Sequence, residues 1–429
     1  MRGVIKRVLA LVLLGFAVVF ALNAQTGRGV TGGEDLTLKI AVMGIGDELY
    51  FWWGHIALII EDAGTGRSRF YDYGIFSFDN DNFFVNFAFG RLWYASGVTT
   101  TASNIAVYLN TNRSVVLYTL DVPPENREKV RRFAEESVLP QNRNYLYHHF
   151  KDNCSTRIRD ILDIATDGQF REQLGNALGR FTFRQHIRRH TWYSPFVDWI
   201  LNFWMGQDID TPITVWEEMF LPSEVGSLIC DFEYTDAYGD TRPLVTDVET
   251  VYTAKSRPTI LDAPRRQWPG AFAFGLALTV VLGLLFYLQS QRPARGQVLL
   301  GICHSLFGIV FGGAGLLLFF MSSFTGHDYT YHNINLLFCH PLLLAAFPLG
   351  IRYASAATYD RRLSAEFTLR LLWLLVALGV IASMLMKLSP RFWQQNLTDQ
   401  MLMLPIALLL ALEPSGLRRM IERIFWRWL

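Results

Sequence analysis

The stretch Asp152-Asn153-Cys154-Ser155-Thr156-Arg157-Ile158-Arg159-Asp160 places a cysteine where polar residues give way to a helical run. Over 155–165, Ile158, Ile161, Leu162 and Ala165 fall on one side, and the spacing predicts a helix. Cys154 then stands at its N-terminus, facing unpaired backbone N–H groups and the positive end of the helix dipole. Both favour thiolate over thiol, and the thiolate is the nucleophile. Arg157 and Arg159 add positive potential within the first turns. A structural cysteine more usually sits among apolar residues.

A thiol nucleophile needs a base. His55 follows Gly54 and opens the apolar run 56–60, which reads as a strand. The next strand, 70–78, carries Asp72, which can hold the second imidazole nitrogen. Further strands are expected at 38–43 and 114–120, and a helix at 124–138. The N-terminal part is therefore of mixed α and β content.

The rest of the chain is different. Of 429 residues, 51% are hydrophobic and only 18% charged, against about 25% charged in an ordinary soluble domain. Apolar stretches at 271–288, 298–324, 334–351, 367–385 and 397–412 point to a helical membrane bundle of about five spans. Residues 1–24 read as a signal peptide, with Arg2, Lys6 and Arg7 before an uncharged apolar core. An exported domain at 25–262, a bundle at 263–412 and a basic amphipathic tail at 413–429 follow. Arginines concentrate in the loops 289–297 and 352–366 and in the tail, which places those segments in the cytoplasm. The exported domain is then expected on the outer face of the membrane. The net charge of +1 excludes an electrostatic role on nucleic acid.

Other histidines have plainer readings. His148 and His149 are adjacent and point apart on regular backbone. His186 and His190 stand at i,i+4 spacing with Arg188 and Arg189 between them, which reads as a solvated basic helix face. His304, inside an expected span, reads as a neutral ring bonded to a neighbouring helix. His327, Asp328 and His332 fall in a loop on the side of the exported domain.

Taken together, Gly54-His55, Tyr71-Asp72-Tyr73-Gly74, Asn142-Arg143-Asn144-Tyr145, the Asp152–Asp160 run and Trp216-Glu217-Glu218-Met219-Phe220-Leu221-Pro222 resemble the Lnb-type lipoprotein N-acyltransferases. The membrane stretch from His327 through Asn333 to Pro341 fits more loosely. The order of histidine, polar partner and Asn-Cys at a helix start is also similar to the permuted papain-like fold of lecithin:retinol acyltransferase. The resemblance implies an α+β papain-like domain in which Cys154 is the nucleophile, His55 the base and Asp72 the orienting residue. The relatives often carry histidine where this chain has Asp72. Asn153, Tyr145, Arg157, His327 and Asn333 would serve as substrate-binding or supporting residues. The implied reaction moves an acyl chain from membrane phospholipid, or from the acceptor's own glyceryl chain, through a Cys154 thioester. The oxyanion would rest on backbone N–H groups at the helix start. The acceptor is the N-terminal amine of a diacylglyceryl-modified lipoprotein; no cofactor or metal is needed. Two alternatives stand beside it: a thiol hydrolase of the same fold, and a non-enzymatic membrane protein with a Cys154–Cys230 disulfide.

Overall fold

A computed structural model describes residues 33–76, 82–413 and 416. The expected signal peptide, the end of the strand expected at 70–78 and nearly all of the expected tail lie outside them.

The N-terminal part is built on one antiparallel sheet. Strands β1 (Leu36–Met43), β2 (His55–Asp62), β3 (Arg67–Ile75), β4 (Trp93–Thr100), β5 (Val115–Leu120) and β6 (Asn144–Leu146) come first. A small hairpin, β7 (Glu233–Thr235) and β8 (Thr241–Pro243), precedes the last sheet strand, β9 (Val245–Tyr252). Seven strands pair in the order β6-β4-β3-β2-β1-β5-β9. The period of two along each strand feeds two cores. Leu38, Ile40, Ile56, Leu58, Tyr71 and Tyr73 face the helices Pro124–Ser137, Cys154–Ala165 and Pro222–Asp231. Ala41, Met43, Ala57, Ile59 and Phe70 meet Tyr108 and its neighbours on the helix Thr101–Asn110. β2 is buried on both faces, which is why 56–60 reads as an unbroken apolar run and not as an alternation.

The membrane part holds three helices long and apolar enough to cross a bilayer: Trp268–Gln291, Pro293–Phe324 and Tyr359–Met386. Two shorter apolar helices, Pro341–Ala354 and Leu397–Leu412, complete the bundle. The expected span at 334–351 is not one continuous helix. Tight turns at Ile334–Leu337 and Pro341–Ala345 precede a helix at Ala346–Ala354. The side chain of Asn333 accepts from Asn335 N, and Pro341 has no N–H to continue a ladder. His304 lies within its span and accepts a hydrogen bond from Trp373 Nε1 at 2.9 Å, as the plain reading expects.

The basic face expected around His186 is instead buried. Arg184, His186, Arg189 and His190 are all enclosed. Their counter-charges come from distant sequence: Arg184 pairs with Asp210 at 2.8 Å, His186 with Glu218 at 2.8 Å and Arg189 with Glu224 at 3.0 Å. Local sequence shows no acid within that helix, so pairing across the fold is invisible there.

Candidate active site

Three expected residues converge at one end of the sheet. Cys154 is the first residue of the helix Cys154–Ala165, and Asn153 is its cap. Asn153 Oδ1 accepts from Ser155 N at 2.8 Å and Thr156 N at 3.0 Å, while Thr156 Oγ1 accepts from Asn153 N at 2.8 Å. The Asn153 amide donates to His149 O at 2.7 Å and to Phe220 O at 3.0 Å. Asparagine thus satisfies the helix end with its oxygen and ties two flanking segments with its nitrogen, which no aspartate can do. This arrangement narrows the expected oxyanion site. The Ser155 and Thr156 N–H groups are already taken, and the Cys154 N–H is the first-turn amide for which no partner is found among the described hydrogen bonds.

His55 starts β2, and its Nε2 lies 2.7 Å from Asp72 Oδ1 on β3. Both side chains are largely covered, at 16% and 20% exposure. The ring stacks against Tyr108, with centroids 6.3 Å apart. Burial alone would lower the His55 pKa. The oxygen of Tyr108, the Asp72 carboxylate and the Cys154 sulphur more than offset it, holding the imidazole well above its ordinary value. Burial also raises the Tyr108 phenol.

Gly74 explains how β3 admits Cys154. It has φ +90° at an irregularity in the β3–β4 register. A Cβ there would stand 3.3 Å from the Tyr147 ring and 3.8 Å from Cys154 Cβ. Tyr145 lies in β6, with the Arg157 guanidinium 4.3 Å over its ring. Arg157 in turn grips Asp152 through two hydrogen bonds, at 2.6 and 2.7 Å. The Tyr145 hydroxyl is buried and finds no hydrogen-bond partner. Burial and the nearby Cys154 sulphur push its pKa upward, so it stays a donor.

His327 and Asn333 do not join the Cys154 cluster directly; they dock the membrane part on the N-terminal part. His327 Nε2 donates to Phe87 O at 2.8 Å, and Tyr329 Oη donates to His327 Nδ1 at 2.7 Å. Asn333 donates to Phe203 O at 2.9 Å and Trp204 O at 3.1 Å. His148 and Lys151 meet Asp328 at 2.7 and 2.6 Å. Those two contacts hold the Asp328 carboxyl well below the usual carboxylate range, against burial. A cavity of about 70 Å³ lies at this seam, lined by residues that include Leu92, Tyr147, His149 and His327.

Sequence reasoning missed Tyr108 and Arg113. Arg113 is buried between the Phe51 ring, at 4.3 Å, and the Tyr108 ring, at 4.8 Å, with Nε donating to Gly44 O. Neither residue sits in a local pattern that marks it. All four cysteines are free thiols, so the structure has no Cys154–Cys230 bridge; Cys230 Sγ donates to Gly226 O instead.

No curated protein and no solved structure matches the chain. Residues 31–189, which include Cys154, His55 and Asp72, match the family model described as the Lnb N-terminal periplasmic domain. With the apolar helices, this similarity over residues 31–189 fits an inner-membrane protein carrying a periplasmic domain.

Proposed function

We propose that this chain is a thiol acyltransferase that N-acylates lipidated cysteine at the N-terminus of bacterial lipoproteins. One observation carries the reading: His55 Nε2 is held by Asp72 at 2.7 Å, beside a cysteine at a capped helix start. With Nε2 engaged, Nδ1 is the ring nitrogen left to take the thiol proton.

The Cys154 sulphur attacks an ester carbonyl of a glycerolipid, and His55 holds the thiol proton. The Cys154 N–H and the unbonded Tyr145 hydroxyl would donate to the oxyanion. As the tetrahedral centre collapses, the C–O ester bond breaks and His55 returns its proton to the leaving alkoxide. The acyl chain is then a thioester on Cys154. The acceptor's neutral α-amine attacks that carbonyl and gives a proton to His55. The C–S bond breaks, and the sulphur recovers the proton. No oxidant, reductant or metal enters the balance. The local order resembles a permuted papain-like site, and the apolar helices suit a donor and an acceptor that both live in lipid.

Incubating the purified chain with labelled phospholipid and a diacylated lipopeptide tests this. An N-acyl lipopeptide, lost in Cys154→Ala, is the expected product. Free fatty acid with no N-acyl product would establish the hydrolase in its place.

A further inference from the structure

The helix Phe83–Ala88 is an unusual thing to leave on a surface. Residues 83–90 read FFVNFAFG and carry no charge. Phe84 is 71% exposed and Val85 56%, with Phe87 and Phe89 also open. A contiguous apolar patch of this kind marks a contact with another phase or partner. Its place in the fold identifies which. Phe89 stacks edge-on against Phe320, 5.9 Å away, in the membrane-crossing helix Pro293–Phe324. Gly326 N, two residues beyond that helix, donates to Phe89 O at 2.9 Å. The patch is therefore pinned to the end of a span, at the level where a bilayer's acyl layer begins.

From the same helix a file of rings runs toward the nucleophile. Phe83 stacks on Phe76 at 6.1 Å, Phe76 on Tyr94 at 5.0 Å and Tyr94 on Tyr147 at 4.3 Å. Tyr147 and Cys154 both border Gly74. The faces of stacked rings offer an extended chain continuous apolar contact with few ordered side-chain torsions lost.

We infer that the helix Phe83–Ala88 sits in the acyl layer of the adjoining leaflet and that the ring file guides a lipid acyl chain from there to Cys154. This rests on the acyltransferase reading for its purpose but not for its placement. The occupant is lipid hydrocarbon, since the patch is charge-free and continuous with a span; a protein partner would be an outcome against it.

Phe84→p-benzoylphenylalanine in the full chain, in phosphatidylethanolamine/phosphatidylglycerol nanodiscs, should crosslink on irradiation to lipid acyl chains, read by mass spectrometry. Crosslinks to protein alone would overturn the inference. A Phe84→Asp, Val85→Asp variant should lower transfer from bilayer lipid at least tenfold while Cys154 alkylation by iodoacetamide keeps its rate. Unchanged transfer would overturn the guiding role. Lipid crosslinks without any acyl-Cys154 would instead refute the acyltransferase reading and leave the placement standing.

Discussion

Replacing Asp72 by asparagine keeps the shape of the site and removes one charge. The lost interaction is a 2.7 Å hydrogen bond between partly buried partners. A hydrogen bond to a charged group is worth about 1.5–3 kcal/mol, and one pKa unit corresponds to about 1.4 kcal/mol. The His55 pKa should therefore fall by about one to two units in Asp72→Asn. If the Asp72 bond stabilises the imidazolium that forms during acylation, the same energy slows acyl-enzyme formation roughly tenfold to a hundredfold without abolishing it. The assay is the pH profile of Cys154 alkylation by iodoacetamide, with single-turnover thioester formation measured alongside. The sign for stability also follows. His55 is raised in the folded chain, so its contribution is complete below about pH 6.5, the unfolded value, and fades as pH rises through the folded value. Wild type should thus exceed Asp72→Asn in melting temperature most clearly near pH 6, with the gap closing in alkali. An unshifted alkylation profile with an unchanged thioester rate would refute the pairing as a functional one.

Three further perturbations test the surrounding frame. Asn153→Ala removes a helix cap and two hydrogen bonds to backbone carbonyls, costing about 2 kcal/mol in urea melts; Asn153→Asp, which keeps the capping oxygen, should lose less. Arg184→Ala strands the buried Asp210 and three carbonyls. It should destabilise by about 3–5 kcal/mol, and a loss below about 1 kcal/mol would show the pair is dispensable. Asp328→Asn should speed amide hydrogen exchange at 326–331 at neutral pH, because it releases His148 and Lys151. The carboxyl is 36% exposed, so solvent screening limits the effect to about 1 kcal/mol. Its depressed pKa means the contribution is present above about pH 4 and is lost as pH falls through the lower folded value.

The parts legible in sequence were those specified by neighbours along the chain. The helix from Cys154 shows its period in a few residues, the strand from His55 its apolar run, and the strand carrying Asp72 its alternation, although that strand runs from Arg67 to Ile75, three residues before its expected place. The Asn153 cap is likewise a local motif. What stayed hidden depends on partners far apart in sequence. Tyr108 supports His55 from across the sheet. Glu218 and Glu224 turn a basic helix into a buried ionic core. Asn333 and Asn335 both donate to the one carbonyl of Phe203 and break what hydropathy reads as a span. Apolar content measures whether a segment tolerates lipid; it carries no information on where a buried amide interrupts it.

Gly90 meets Gly326 so closely that a Cβ on Gly90 would lie 2.6 Å from the Gly326 carbonyl carbon, and φ there is +72°. The sheet part is thus joined to the membrane part twice, once by the peptide leading into Trp268 and once by a noncovalent seam in which this backbone contact, with no side chain between, stands beside the His327–Phe87, Asp328–His148 and Asn333–Phe203 bonds. Two attachments turn a swivel into a bracket. In the acyltransferase reading, the noncovalent joint, and not the peptide linker, would set the reach and aim of the thiol over the bilayer. Lengthening or nicking the linker should leave the thiol's height above the lipid unchanged, whereas one methyl group at position 90 should tilt it.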